Sequence, residues 1–149
     1  MRLVTRGFVL LLGWSAMAGT AAAADTAGVF KVVRGSVSVE RQGASLPATV
    51  GMPVYQSDHI VTGADGSAGI TFEDNALLSL GPSSKLALDR FAFNSTTHEG
   101  AFETTLSSGK LAVVSGKIAH HQLDAMKVRT PSTILGVRGT KFLVEVSGS

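Results

Sequence analysis

Apolar and polar residues alternate along most of the chain after residue 25. Val37 and Val39 are set against Ser36, Ser38 and Glu40. Ala68, Ile70 and Phe72 are set against Gly69, Thr71 and Glu73, and Phe142, Val144 and Val146 against Lys141 and Glu145. A period of two is the pattern of a half-buried strand. Strands are predicted around 29–33, 36–40, 54–55, 59–62, 68–73, 78–80, 85–93, 102–106, 110–114, 126–129, 134–137 and 141–146. Turn signals separate them: Gln42-Gly43, Gly51-Met52-Pro53, Asp65-Gly66 in the loop 63–67, Asp74-Asn75, Gly81-Pro82-Ser83-Ser84 and Ser107-Ser108-Gly109. Leu46-Pro47 marks an edge strand, since proline cannot donate to a ladder. Residues 94–100 read as an exposed loop, and 116–125 as a helical turn or a loose connection. Turns recurring at roughly eight to twelve residues argue for an all-β fold. Helical periodicity is almost absent after residue 25, which excludes a helical bundle. Many short strands with frequent corners suit a solenoid-like twisted roll, and a β-sandwich carries the same pattern.

The first 24 residues break the pattern. Arg2 and Arg6 precede short apolar runs, and Ala22-Ala23-Ala24 supplies small residues before Asp25. This is the layout of a cleaved export signal, so residues 1–24 are expected to be a signal helix and residues 25–149 one β domain. Gly13, Ser15, Gly19 and Thr20 interrupt the apolar stretch as a membrane span. Periplasmic or secreted location is therefore expected, without stable membrane insertion once the signal is removed. Removal takes the basic count from 13 to 11 against 11 acidic residues, a net charge of zero. The alkaline pI then says nothing about partners, and nucleic-acid binding loses its support. No cysteine is present, so an exported domain of this kind relies on its core alone.

The most informative stretch is residues 130–146. Pro131 biases Thr130 toward extended backbone. Ile134, Leu135 and Val137 are apolar, and Gly136 and Gly139 flank Val137-Arg138. Arg138 thus stands alone among apolar residues, where a charge needs partners. It is expected to be a buried structural tie.

Thr130-Pro131 followed by Gly136-Val137-Arg138-Gly139-Thr140 and Phe142 resembles the closing motif of the FecR-type domain. Upstream, Gly35-Ser36-Val37, Asp58-His59-Ile60-Val61-Thr62-Gly63, Gly66-Ser67-Ala68, Leu80-Gly81-Pro82-Ser83-Ser84 and Leu106-Ser107-Ser108-Gly109-Lys110-Leu111 follow in that family's order. The resemblance runs from about Gly28 to Val146 and inclines the fold toward the twisted roll. It implies a structural motif of Asp58, Thr62, Gly63, Thr130, Pro131, Gly136, Arg138, Gly139, Thr140 and Phe142. It also makes Asp58 the first choice of partner for Arg138, with Asp74 the second. Typical members resemble this chain in the domain only; they pass a signal from an outer-membrane transporter to a cytoplasmic sigma factor, through a cytoplasmic tail and a membrane span. Here seven residues precede the apolar run.

Candidate chemistry is sparse. The four histidines, His59, His98, His120 and His121, show no chelating spacing. If His120 and His121 lie on a strand they point to opposite faces, and His59 is expected to face solvent. No nucleophile elbow is present, and Gly63-Ala64-Asp65-Gly66 is a turn rather than a phosphate loop. No metal, no cofactor and no catalytic site are expected. The expected role is a non-catalytic envelope module that binds another envelope protein or a cell-wall polymer. The alternative is a membrane-anchored periplasmic regulator of sigma-factor or iron-uptake signalling.

Overall fold

The computed structural model describes residues 25–147. The expected signal segment lies outside them. Strands take 59% of the described residues and helix 4%, so the fold is all-β, as the alternation predicts. In chain order the elements are β1 (Thr26–Arg34), β2 (Val37–Arg41), β3 (Ala44–Pro47), β4 (Pro53–Tyr55), β5 (His59–Thr62), β6 (Ser67–Phe72), β7 (Leu77–Leu80), β8 (Lys85–Phe93), β9 (Gly100–Val114), α1 (Lys117–His121), β10 (Met126–Arg129), β11 (Ile134–Val137) and β12 (Lys141–Val146).

The strands form one hydrogen-bonded sheet with the path β3-β2-β5-β8-β9-β7-β6-β1-β4. It curls into a half-barrel. β10 lies parallel to β9, β11 pairs with β10, and β12 runs antiparallel to β9. The two halves of the roll are continuous through β9, unlike the separate sheets of a sandwich. Its first half, residues 100–108, pairs with β8. Its second half, residues 109–114, pairs with β12, and residues 111–114 also pair with β7.

One expectation about turns is corrected here. Ser107-Ser108-Gly109 does not separate two strands; β9 runs straight through it for 15 residues. Both flanks of Gly109 find partners, so the glycine bends the strand instead of reversing it. Asp65-Gly66 lies in a turn, as expected, and that turn joins strands that do not pair with each other. β5 pairs with β2 and β8, β6 with β1 and β7, and the loop between them carries the chain from one half to the other. Asp74-Asn75 does form a hairpin, between β6 and β7, with Asn75 at φ 67°.

The crossing points line up as a seam. The amide of Gly63 donates to Ser36 O at 2.8 Å, and that of Ser83 donates to Gly63 O at 3.0 Å. The Thr62 hydroxyl donates to Gly81 O at 2.7 Å and accepts from the Ser84 amide at 2.9 Å. The Ser84 hydroxyl in turn accepts from the Lys110 amide at 2.9 Å. Backbones approach so closely that a β-carbon at Gly66 would overlap Ser36 O.

Inward side chains from both halves fill the interior. Phe72 of β6 packs on Phe102 of β9 at 4.7 Å between ring centroids and on Phe91 of β8 at 5.6 Å, and Phe91 meets Phe102 edge-on at 5.2 Å. Such ring pairs add about 0.5–1.5 kcal/mol each beyond their area. Here they join the two halves of the roll.

Candidate functional site

The inward rows contain more than apolar residues. Asp58, Ile60 and Thr62 are buried in succession around β5, and the even positions from Ala68 to Leu80 are all buried, Asp74 among them. Each buried polar group on these rows needs a local partner.

Asp58 finds Arg41. The arginine Nε donates to Oδ1 at 2.8 Å and Nη2 donates to Oδ2 at 2.7 Å, a two-pronged pair. Nη2 also donates to Pro53 O at 3.1 Å, and the Tyr55 amide donates to Asp58 Oδ2 at 2.9 Å. The Tyr55 ring lies 4.6 Å from the guanidinium carbon. Asp58 is 1% exposed and Arg41 24%. The bond to Asp58 raises the arginine's proton affinity further. Arg41 was not among the expected site residues, yet it carried a legible signal. It has the same parity as the inward Val37 and Val39 on β2, so a charge fell on the core face.

Arg138 is not the buried tie that its surroundings suggested: it is exposed. Val137 takes the inward position at the end of β11, and the following residue faces outward. Asp58 is held by Arg41, and Asp74 by backbone amides. The other closing-motif residues shape turns. The Thr130 amide donates to Thr133 O at 2.9 Å, and the Thr133 amide to the Thr130 hydroxyl at 3.1 Å, with Pro131 exposed at the tip. Gly136 lies against the Asp124 carboxylate. Gly139, at φ 58°, turns the chain into β12 and faces the His120 ring. Thr140 O accepts from the Ser115 amide at 3.2 Å, and Phe142 packs half-buried against the core.

A cleft of about 420 Å³ opens beside α1, lined by Asp74, His98, Ser115, Lys117, His120 and His121 among others. The segment 117–121 is helical, so His120 and His121 do not point to opposite faces of a strand; both border the cleft. His98 reaches it from the β8–β9 loop, stacked on Phe93 at 6.2 Å and edge-on to His121 at 6.4 Å. His59 lies on β5, exposed as expected. Among the described residues no three His, Cys, Asp or Glu are placed to hold a metal ion together.

Asp74 forms the floor. Its Oδ1 accepts from the Ala76 amide at 3.1 Å and its Oδ2 from the Ile118 amide at 3.4 Å, while its backbone O accepts from the Lys117 amide at 2.8 Å. One aspartate therefore clamps α1 onto the β6–β7 hairpin. Burial pushes its carboxyl up from the usual carboxylate range, against the pull of the Ala76 and Ile118 amides and of nearby His120. The folded state then holds the Asp74 proton more tightly than the unfolded state, whose aspartates titrate near ~3.9. Between that value and the raised one the native protein binds more protons, so this group's contribution to stability grows as pH falls. Asp74→Asn has no such titration. In thermal scans the melting-temperature difference, wild type minus variant, is expected to rise from about pH 7 toward about pH 4. A difference that shrinks on acidification would contradict this assignment.

A family model described as FecR protein matches residues 58–149, from the buried Asp58 to the end of the chain. β1 to β4 precede the matched region, which is narrower than the resemblance read from Gly28. Neither the curated proteins nor the solved structures compared gave a match.

Proposed function

The chain belongs to the FecR family, and from that premise we propose that it is a non-catalytic binding and sensing module of the bacterial envelope, which takes an extended segment of another envelope protein onto the open edge of β12. The family is a regulatory, signalling-related domain associated with the envelope. Export by residues 1–24 fits that setting.

The carrying observation is the state of β12. It is bonded to β9 in unbroken register from Lys141↔Val114 to Val146↔Gly109. Among the described residues no strand pairs with its other edge. Folded proteins usually blunt such edges with proline, bulges or very short strands. The edges at β3 and β4 follow that rule: four and three residues, carrying Pro47 and Pro53. β12 has six residues and no proline, and its central Leu143 is 66% exposed. An extended peptide added here would gain main-chain hydrogen bonds for affinity and alternate side-chain contacts for specificity.

A photo-crosslinking side chain at position 143 is expected to capture an extended segment of one envelope protein. A synthetic peptide of that segment should slow amide exchange across residues 141–146. Leu143→Lys should weaken binding by about tenfold or more with little change in melting temperature, because the side chain is exposed. Capture of the same proteins from a crosslinker at exposed Leu46 on β3, or unchanged peptide binding by Leu143→Lys, would sink this reading.

A further inference from the structure

We propose that the cleft beside α1 is a binding site for an oxyanion, a carboxylate or phosphate group, held by Lys117 and the imidazoles of His98, His120 and His121. This goes beyond the edge-strand reading and does not depend on it.

The first ground is charge. Lys117 and three imidazoles converge on one concavity from two elements, α1 and the β8–β9 loop. Among the described residues the ion pairs are Arg41–Asp58, Lys110–Glu145 and Arg129–Glu103, and none involves the cleft. Glu73 and Glu99, adjacent in sequence to Asp74 and His98, line other surface depressions. The acid that does face the cleft, Asp74, is fully buried, with both carboxylate oxygens occupied by the amides of Ala76 and Ile118. Its carboxylate bonds the amides that hold α1, and among the cleft's groups His120 lies near enough to feel its charge. Around that buried acid the rim carries the ammonium of Lys117 and three imidazoles, and a concavity rimmed by such donors draws anions.

The second ground is placement. Phe93 supports the His98 ring on one face, and the rings of His98 and His121 meet edge-on. The Ile118 amide on Asp74 fixes the start of the helix, and Gly139 lets the β11–β12 turn close against His120. Side chains held this way lose little freedom on binding, which favours affinity. Imidazole and ammonium N–H groups supply charge-assisted bonds to carboxylate or phosphate oxygens. Ser115 adds a hydroxyl from the end of β9.

The test is a titration of the full chain with inorganic phosphate, and separately with acetate, at constant ionic strength, followed through the histidine ring resonances. His98, His120 and His121 should shift together and saturate, while His59, distant on β5, stays still as an internal control. The variant carrying Lys117→Gln and His121→Gln should bind at least about tenfold more weakly with an unchanged backbone spectrum. Sedimentation with phosphatidylglycerol vesicles separates the sources. Vesicle binding that phosphate displaces and the variant loses assigns the anion to a lipid headgroup, and phosphate or acetate binding without vesicle binding assigns it to a soluble group. The proposal is overturned if His59 shifts in parallel with the others, if no shift saturates, or if the variant binds as the wild type does. Vesicle binding that phosphate does not displace also overturns it.

Discussion

Arg41→Met is expected to destabilise the domain by about 3 kcal/mol, the lower end of what breaking a buried ion pair costs. The asymmetry of burial sets that size. Arg41 is partly open to water, but Asp58 is 1% exposed, so removing the arginine strands a carboxylate whose remaining side-chain bond is to the Tyr55 amide. Three elements come apart at once: the end of β2, the start of β4 through Pro53 O, and the lead into β5. Arg41→Lys should recover only part of the loss, since an ammonium cannot reproduce the two-pronged geometry. Urea unfolding decides it, with the Arg41→Met/Asp58→Asn pair closing the cycle. The double variant should cost less than the sum of the two single ones, because each single change leaves the other group unpaired. A loss below about 1 kcal/mol for Arg41→Met would place the pair with exposed salt bridges, and the account of burial given for Asp58 would fail.

Gly109→Ala is expected to cost about 2–5 kcal/mol, adding left-handed backbone strain to overpacking. Gly109 has φ 89°, and a β-carbon there would overlap the Ser84 hydroxyl and crowd its backbone. That hydroxyl bridges the seam, accepting from the Lys110 amide at 2.9 Å and donating to Lys110 O at 3.3 Å. Displacing it disturbs the corner where β7 gives way to β8 and the point where β9 passes from one half to the other. Chemical denaturation of Gly109→Ala, compared with the same change in a Ser84→Gly background, separates the two causes. Removing the serine side chain should recover part of the steric cost and none of the φ strain. A Gly109→Ala protein within about 0.5 kcal/mol of wild type, the range of neutral surface changes, would show that the seam yields without penalty.

Much of this architecture was legible in the residues. Parity along a strand is a property of covalent geometry, so the inward faces of β2, β6, β7 and β12 follow from alternation alone. Pro47 marks β3, one end of the sheet path, as an edge strand. The same parity places Arg41, Asp58, Thr62 and Asp74 on the core side, which says that each needs a partner. It does not say which one. Partners depend on which strands become neighbours. Arg41 meets Asp58 because β2 and β5 lie side by side, a contact made 17 residues apart in the chain. Arg138 looked like the charge in need of a tie, and only the end of β11 behind Val137 shows that it faces water.

Glycine and serine clusters were equally ambiguous. A glycine permits a change of direction, but whether the chain reverses or merely bends depends on where its flanks find hydrogen bonds. At Asn75 the flanks bond to each other and a hairpin results. At Gly109 they bond to β8, β7 and β12, and the strand continues. The short helix and its histidines lay furthest from the sequence's reach, because five residues carry too little periodicity to declare a helix. What holds that helix in place is a buried aspartate 44 residues earlier. Local pattern thus determined which residues turn inward and where the chain can bend. Tertiary structure decided the pairings, because the groups that satisfy a buried charge or an open amide come from distant segments that meet only when the sheet closes.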